Sequence, residues 1–259
     1  MIKAAFFDID GTLVSFKTHK MSDATIESLK ALQAKGIKVC ISSGRPKFLI
    51  NNLGDYPFDA YVCCNGAIVY CDGKVVFRAP VDRQDAINVV KACNDNGITL
   101  LCFPEDGPHM NFHTEKSDEF QRILNLDYPE PSDILHIAEN EDIYELSAFV
   151  TLDEEKKLFH PVTRNCTFPR WHPDLVDINP AGMHKFVGAQ ALLKAYGISG
   201  DEVIAFGDGG NDIDIIRDAG IGVAMGNAVD EVKAAADYVT ASVDDEGITF
   251  ALRHFGLLQ

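Results

Sequence analysis

The N-terminal part of the chain alternates short apolar runs with amphipathic segments. Three apolar runs that are typical of buried parallel strands are Ala4–Phe7, Ile37–Ile41 and Ala60–Cys64. Between the first two runs, Ser22 or Asp23 can cap a helix that ends at Gly36. Pro46 suits the first turn of a short helix closing at Gly54. The pattern predicts a β-α-β-α-β unit.

Turn residues then change the pattern, and the alternation resumes much later. Asn65-Gly66 and Asp72-Gly73 separate three short strands, which predicts two consecutive hairpins. Beyond Gly182 the predicted elements are a helix to Tyr196, a strand at Val203–Phe206, a helix from about Asn211, a strand at Gly222–Ala224, a helix around Val229–Ala236, a strand at Tyr238–Thr240 and a helix to Phe255. These elements extend a doubly wound, Rossmann-like α/β sheet.

The segment between these two parts mixes helices and strands differently. Its predicted elements are a helix at Asp82–Asn96, strands at Ile98–Cys102 and near Met110–Phe112, a helix around Glu115–Leu124, a strand at Tyr144–Val150, a helix at Asp153–Phe159, and strands near Thr167 and Val176. This order predicts a separate α+β unit. We therefore expect a parallel-sheet core formed by residues 1–81 and 182–259, interrupted by an inserted domain at 82–181.

Charge and composition restrict the possible partners. The chain of 259 residues has a net charge of −16, which argues against nucleic acid or an anionic membrane as a partner. No apolar run approaches the length of a membrane span, and the N-terminus lacks the layout of a signal peptide. The seven cysteines are an odd number without metal-type spacing, so a reduced, cytoplasmic protein is expected.

Two carboxylates follow the first apolar run directly. Asp8 and Asp10 project together from the end of an extended strand, where open α/β sheets bind ligands. One acid of such a pair can act as a nucleophile while the other transfers protons. Taken alone, the segment is also typical of a strand followed by the turn Asp10-Gly11. An EF-hand loop is excluded because its twelfth position is His19.

Two weaker signals lie at other ends of the same predicted sheet. Ser43-Gly44 ends the second strand and offers a hydroxyl and a backbone N–H, although an ordinary turn uses the same residues. Lys185 lies near the start of the helix after the insertion. A surface lysine is the common explanation, but a cation near helix N-termini is favourable only where an anion binds.

The segment Gly207–Asp212 is the second strong signal. A buried strand carries Asp208 to the sheet edge, and three glycines allow a tight path to Asn211 and Asp212. Asn211 could also be a plain helix N-cap. Acids at two strand ends, with a lysine, a hydroxyl and free N–H groups, suit a phosphate held against Mg²⁺.

In the order of these segments the chain resembles the haloacid dehalogenase-like (HAD) phosphatases. The four matching motifs are Asp8-Ile9-Asp10-Gly11-Thr12, Ser43-Gly44-Arg45, Lys185, and Gly207-Asp208-Gly209-Gly210-Asn211-Asp212. The large insertion between the second and third motifs is similar to that of the Cof-like subfamily. Ser43 stands where Thr is common.

The resemblance implies a role for each matching residue. Asp8 would attack phosphorus, and Asp10 would protonate the leaving oxygen and then take a proton from water. Mg²⁺ would be held by Asp8, the backbone carbonyl of Asp10, and Asp208, with Asp212 supporting the metal shell. The residues implied to hold the phosphate are Ser43, Gly44, Lys185 and Asn211. Asp10 argues against dehalogenase chemistry, since the true dehalogenases of the family lack that second acid.

The insertion then corresponds to the cap of such enzymes, which closes over the site and contacts the leaving group. Its candidate substrate contacts are the loop Phe103–Gly107 and the cluster Arg170-Trp171-His172, although Trp171 could equally fill a core.

The resemblance implies a Mg²⁺-dependent phosphatase acting on a small phosphorylated metabolite, with sugar phosphates the first expectation. A phosphomutase with the same core chemistry is one alternative. A catalytically idle regulator that binds a phosphometabolite is another, although the intact pair Asp8 and Asp10 speaks against it. The sequence leaves the oligomeric state open, and a monomer is compatible with it.

Overall fold

The structure is a computed structural model and describes residues 1–124, 127–170 and 172–259. Its strands are β1 (Ala4–Phe7), β2 (Lys38–Ser42), β3 (Ala60–Cys63), β4 (Ile68–Cys71), β5 (Lys74–Arg78), β6 (Leu100–Phe103), β7 (His109–Met110), β8 (Glu145–Ala148), β9 (Cys166–Thr167), β10 (Val176–Pro180), β11 (Val203–Gly207), β12 (Ile221–Ala224) and β13 (Tyr238–Val239). Its helices are α1 (Asp23–Ala34), α2 (Arg83–Asp95), α3 (Glu115–Leu124), α4 (Ile134–Asn140), α5 (Leu152–Leu158), α6 (Lys185–Tyr196), α7 (Ile213–Asp218), α8 (Asp230–Ala235) and α9 (Gly247–His254).

The chain divides into two compact units. The core unit is formed by Met1–Phe77 and His184–Gln259, and the inserted unit by Arg78–Met183. The crossings lie within four residues of the boundaries expected from the sequence, at 81/82 and 181/182. Within the three described ranges, no helix is both long enough and apolar enough to cross a membrane.

The core unit is built on one sheet in the order β13-β12-β11-β1-β2-β3-β4-β5. Neighbours from β13 to β3 are parallel, and β4 runs antiparallel to β3. The central strand β1 has β2 on one side and β11 on the other, with Phe7 opposite both Ile41 and Phe206. Strand order therefore reverses at β1, which is where open α/β sheets form their ligand crevice. The predicted doubly wound fold is confirmed.

Both faces of this sheet are covered, which explains its uninterrupted apolar strands. Because side chains alternate along β1, Phe7 and Phe6 enter opposite layers. Phe7 stacks on Phe206 with ring centroids 4.9 Å apart, in a layer with Leu29 and Leu32 of α1. The layer around Phe6 also holds Phe186, Leu192 and Ile215. These two layers hold the carboxyl end of β1 in place.

The predicted helix over residues 46–54 is wrong beyond one turn. Pro46 is extended, and only Lys47–Leu49 form a 3₁₀ turn. The carbonyl of Leu49 accepts a hydrogen bond from Nη1 of Arg45 at 3.1 Å. That carbonyl is therefore turned toward a side chain and does not continue a helix.

The inserted unit has an antiparallel sheet in the order β7-β6-β8-β10-β9. One face of this sheet packs on α2 and α4 in a separate core. The helix α4 was not among the predicted elements, although Asp133 caps it by accepting the N–H of His136 at 3.1 Å. Ile134, Ile137 and Ala138 are its buried positions. A capping acid followed by this spacing was the available signal, and the Pro-rich segment before it obscured the pattern.

Candidate active site

The candidate site lies at the carboxyl ends of β1, β2 and β11 in the core unit. Asp8 leaves β1 with its N–H donated to the carbonyl of Phe206 at 3.0 Å, which ties it to β11. Gly11 turns the chain away with φ of 87°. A Cβ on Gly11 would overlap the carboxylate of Asp208. The glycine therefore lets the first motif approach the fourth motif closely.

A fully buried lysine links two of the acids. Lys185 is the first residue of α6, and its Nζ lies 2.6 Å from Oδ1 of Asp8 and 2.5 Å from Oδ1 of Asp212. Burial alone would lower the pKa of Lys185, but the carboxylates of Asp212 and Asp8 raise it above the ordinary value. Lys185 therefore stays charged, and the surface-lysine explanation is wrong.

Asp212 is engaged on both oxygens. Oδ1 receives Lys185, and Oδ2 accepts the backbone N–H groups of Asp208 and Gly209, each at 3.0 Å. Burial raises the pKa of Asp212, and Lys185 opposes that shift. A Cβ on Gly207 would overlap this carboxylate, so the glycine leaves room for it. These contacts suit an acid that positions Lys185 and the backbone at Asp208.

Asp208 is held from two sides by uncharged donors. The hydroxyl of Thr12 donates to Oδ1 at 3.0 Å, and Nδ2 of Asn227 lies 3.3 Å from Oδ2. Burial, together with the carboxylates of Asp8 and Asp212, raises the pKa of Asp208 to about 7. The acid has no cation in direct contact among the described residues.

Three acids lie close enough together to be ligands of one divalent cation. Asp8, Asp208 and Asp212 each offer a carboxylate oxygen, and these oxygens lie within 4.8 Å of one another. Among the described residues, one ammonium, that of Lys185, contacts this cluster, so negative charge is in excess. In the described part of the chain, Oδ2 of Asp8 accepts no hydrogen bond. Hard oxygen donors with excess negative charge fit Mg²⁺.

Asp10 pairs with Arg45 and not with Lys185. Nη2 of Arg45 lies 2.9 Å from Oδ1 of Asp10, and Nε lies 2.8 Å from Oδ2. Nδ2 of Asn52 lies 3.5 Å from Oδ1. Burial raises the pKa of Asp10, Arg45 opposes the shift, and the Asp8 carboxylate adds to it. These contacts set Asp10 apart from the cluster of Asp8, Asp208 and Asp212.

The predicted phosphate-binding residues form a third group. The hydroxyl of Ser43 is buried and accepts the N–H of Arg45 at 3.1 Å. Nδ2 of Asn211 donates to Oδ1 of Asn65 at 3.0 Å. A Cβ on Gly44 would lie 3.2 Å from the Asn65 oxygen and 3.3 Å from the Asn211 nitrogen. Gly44, Asn65 and Asn211 are thus close together.

The plain N-cap explanation for Asn211 is wrong. Asn211 lies inside the 3₁₀ turn Gly210–Asp212, and α7 begins only at Ile213. Its side chain reaches across to Asn65 and caps neither element.

Sequence reasoning gave no role to several side chains that organise the site, namely Thr12, Arg45, Asn52, Asn65 and Asn227. Thr12 and Arg45 stand inside the recognised motifs. Asn65 follows β3, and Asn227 follows β12 with its Nδ2 2.8 Å from the carbonyl of Gly11. Polar residues after every parallel strand, and not only after β1, β2 and β11, were the available signal.

The candidate contacts in the inserted unit have other partners. Nη2 of Arg170 lies 2.6 Å from the buried carboxylate of Glu155, and Nη1 donates to the carbonyls of Val150 and Pro173, each at 2.8 Å. Such contacts are typical of a structural side chain. Trp171 lies outside the described residues. In the loop Phe103–Gly107, Glu105 pairs with Arg78 at 2.7 Å, and a substrate contact there stays a prediction.

Comparison with known proteins identifies the family. Residues 5–252 match the haloacid dehalogenase-like hydrolases. YkrA of Bacillus subtilis (strain 168), which carries a provisional phosphatase name, is 32% identical over 99% of both chains. The sugar phosphatase BT4131 superposes with a TM-score of 0.87 at 38% identity, covering 99% of this chain and 100% of the other. BT1666 of Bacteroides thetaiotaomicron, a phosphatase of the same superfamily, gives 0.90 at 34% identity, covering 100% and 96%.

The chain therefore belongs to the haloacid dehalogenase-like hydrolase family, as its four motifs predicted. Its enzyme class is that of a phosphoric monoester hydrolase.

Proposed function

We propose that this enzyme is a Mg²⁺-dependent phosphatase that hydrolyses small phosphate monoesters through a phosphorylated Asp8. The observation that carries the proposal is the charge balance at the carboxyl edge of β1 and β11. Asp8, Asp208 and Asp212 gather around one buried ammonium, that of Lys185. An excess of buried negative charge is costly unless a bound cation offsets it.

Asp8 is the proposed nucleophile. Oδ1 is held by Lys185, which leaves Oδ2 to attack phosphorus. Lys185 also reduces the repulsion between this carboxylate and the phosphate dianion. Mg²⁺, held by Asp8, Asp208 and the carbonyl of Asp10, would neutralise charge on the transferring phosphoryl group. Asp212 would support this arrangement by fixing Lys185 and the backbone at Asp208.

Asp10 is the proposed acid and base. Its proton passes to the ester oxygen as the P–O bond breaks, and a water that attacks the phosphoenzyme later returns a proton to it. Ser43, Gly44, Lys185 and Asn211 are the proposed phosphate-binding groups.

The substrate class is proposed from the relatives. BT4131 is described as a sugar phosphatase. YitU of Bacillus subtilis (strain 168), 28% identical over 96% of this chain and 95% of its own length, is named for a phosphoribitylamino uracil. Both names describe a phosphate ester of a polyhydroxylated carbon chain. We therefore propose sugar and polyol phosphates as the substrates to test first.

Phosphate release from a panel of sugar, polyol and aryl phosphates, with Mg²⁺ or with EDTA, tests the proposal. Release that depends on Mg²⁺ and disappears in Asp8→Asn is expected. Asp218→Asn, an exposed acid on α7, is the matched control and should leave the rate unchanged. Folded protein that releases no phosphate from any ester would contradict the proposal. A phosphorylated isomer as the product, without free phosphate, would identify a phosphomutase.

A further inference from the structure

The carboxylate of Asp10 is gripped on both oxygens by one side chain. Arg45 presents Nη2 to Oδ1 at 2.9 Å and Nε to Oδ2 at 2.8 Å, which is the two-point geometry typical of guanidinium–carboxylate pairs. About a third of each side chain remains exposed. The pair therefore contributes little to stability as a surface ion pair, and its fixed geometry is the more informative property.

The guanidinium is itself held in place. Nη1 of Arg45 donates to the carbonyl of Leu49 at 3.1 Å, and the backbone N–H of Arg45 donates to the hydroxyl of Ser43 at 3.1 Å. Asn52 adds a longer contact to Oδ1 of Asp10 at 3.5 Å. The loop after β2 thus connects the side chain of Asp10 to the residue proposed to bind phosphate.

We propose that Arg45 is a positioning residue that fixes the carboxylate of Asp10 for proton transfer to and from the reacting oxygens. This inference rests on the proposed function. A carboxyl group has about four lone-pair positions, and a two-point guanidinium occupies one on each oxygen. The remaining positions can hold the proton that leaves with the alcohol while the Asp8–phosphorus bond forms. Lysine cannot reproduce this grip because its ammonium is a single point charge.

Leaving-group dependence separates this role from a merely structural one. An alkyl phosphate needs a proton on its departing oxygen, whereas p-nitrophenolate departs without one. In Arg45→Met, kcat/KM for an alkyl phosphate should fall by about 10²-fold, and for p-nitrophenyl phosphate by less than about tenfold. Arg45→Lys should show the same selective loss. Arg217→Met, which removes an exposed arginine of α7 paired with Asp214, is the control and should change neither value.

A double-mutant cycle tests whether Arg45 acts through Asp10. In the Asp10→Asn background, adding Arg45→Met should change kcat/KM for the alkyl ester by less than about threefold, because coupled groups are not additive. Equal losses for both ester classes, or an additive loss in the double variant, would overturn the inference while leaving the phosphatase proposal intact. A wild-type protein inactive toward both esters would overturn the proposed function and this inference with it. If Arg45→Met does not fold, Arg45→Lys and Arg45→Gln provide the same comparison.

Discussion

Buried carboxylates occur in both units, but their charges are balanced differently. In the inserted unit, Glu155 is 3% exposed and contacts Arg170 at 2.6 Å and His160 at 3.1 Å. In the core unit, Asp8 and Asp212 share the ammonium of Lys185, and Asp208 lies beside them. Glu155 thus has basic partners within the protein, whereas the three acids of the core unit outnumber the ammonium of Lys185 that contacts them.

In the proposed function, this difference distinguishes the structural pair of Glu155 and Arg170 from the metal-binding acids of the core unit. The guanidinium of Arg170 pairs with Glu155 and also donates to the carbonyls of Val150 and Pro173. Its hydrogen bonds are therefore made within the protein. In the proposed function, a bound cation that takes oxygen ligands supplies the positive charge that the cluster of Asp8, Asp208 and Asp212 lacks. An excess of charge is thus more informative about function than burial alone.

Glu145, another buried acid of the inserted unit, has within the three described ranges neither an ion pair nor a cluster of acids around a lysine. Glu145 on β8 is 4% exposed, and its Oε2 has no hydrogen-bond partner among the described residues. Burial, and then the nearby carboxylate of Asp177, raise the pKa of Glu145 well above its ordinary value. Glu145 has no ion pair among the described residues, so burial favours its protonated form.

The largest expected effect is that of Asp8→Asn. An amide is a poor nucleophile and a poorer Mg²⁺ ligand, so kcat should fall by four or more orders of magnitude, on the order of nucleophile losses in other covalent enzymes. Steady-state phosphate release and a thermal unfolding profile are the measurements. Substantial turnover by a folded Asp8→Asn protein would show that the core cluster is not catalytic in the way proposed.

Asp10→Ala and Asp208→Ala should separate proton transfer from metal binding. Asp10→Ala should reduce kcat by ~10²–10⁴-fold and preserve Mg²⁺ affinity, because its proposed metal ligand is a backbone carbonyl. Asp208→Ala should weaken Mg²⁺ binding directly. Calorimetric titration with Mg²⁺ measures both, and the reverse order of affinities would mean that the two roles are exchanged.

Removing Arg170 from its ion pair with Glu155 should lower the stability of the protein. Arg170→Met leaves the carboxylate of Glu155 buried without its main cation, and we expect a loss of about 3–5 kcal/mol in the free energy of unfolding. The double variant Glu155→Leu with Arg170→Met should be less destabilised than Arg170→Met alone. Urea denaturation measures both. A single variant as stable as the wild type would show that the pair does not hold this region together.

The most gradual expected effect is a pH-dependent change in stability caused by Glu145. Since the pKa of Glu145 is raised in the folded state, its stabilising contribution is fully present below the ordinary value of 4.5 and is lost as pH rises toward the folded value. Glu145→Gln stays neutral throughout. Its stability relative to wild type should therefore rise with pH above 4.5, by at most about 1.4 kcal/mol per pH unit. Parallel stability curves from pH 4 to 8 would contradict the shifted pKa.

The sequence specified the strands that carry chemistry because their pattern is local. The buried run Ala4–Phe7 and the acids after it were predicted at the residues where the structure places them. The signal for the hairpin at Asp72-Gly73 is equally local. Asp72 and Gly73 adopt φ of 49° and 73°, which few other residue pairs allow.

Contacts between distant loops could not be predicted in the same way. The pairing of Arg45 with Asp10 and of Asn65 with Asn211 depends on which strands become neighbours, and neither pair has a sequence signal of its own. The helix expected over 46–54 failed for a local reason, because the guanidinium of Arg45, four residues earlier in the chain, binds the carbonyl of Leu49.

The central claim is that Asp8, one of the three clustered acids of the core unit, accepts the phosphoryl group. Asp10→Asn mixed rapidly with p-nitrophenyl phosphate and Mg²⁺ tests it most directly, because p-nitrophenolate departs without a proton while the second step lacks its base. The account predicts a burst of p-nitrophenolate stoichiometric with enzyme, and a phosphoryl group on the peptide that contains Asp8 when acid-quenched samples are mapped by mass spectrometry. A phosphoryl group on another residue, or none at all while the wild type turns over the same ester, would contradict it.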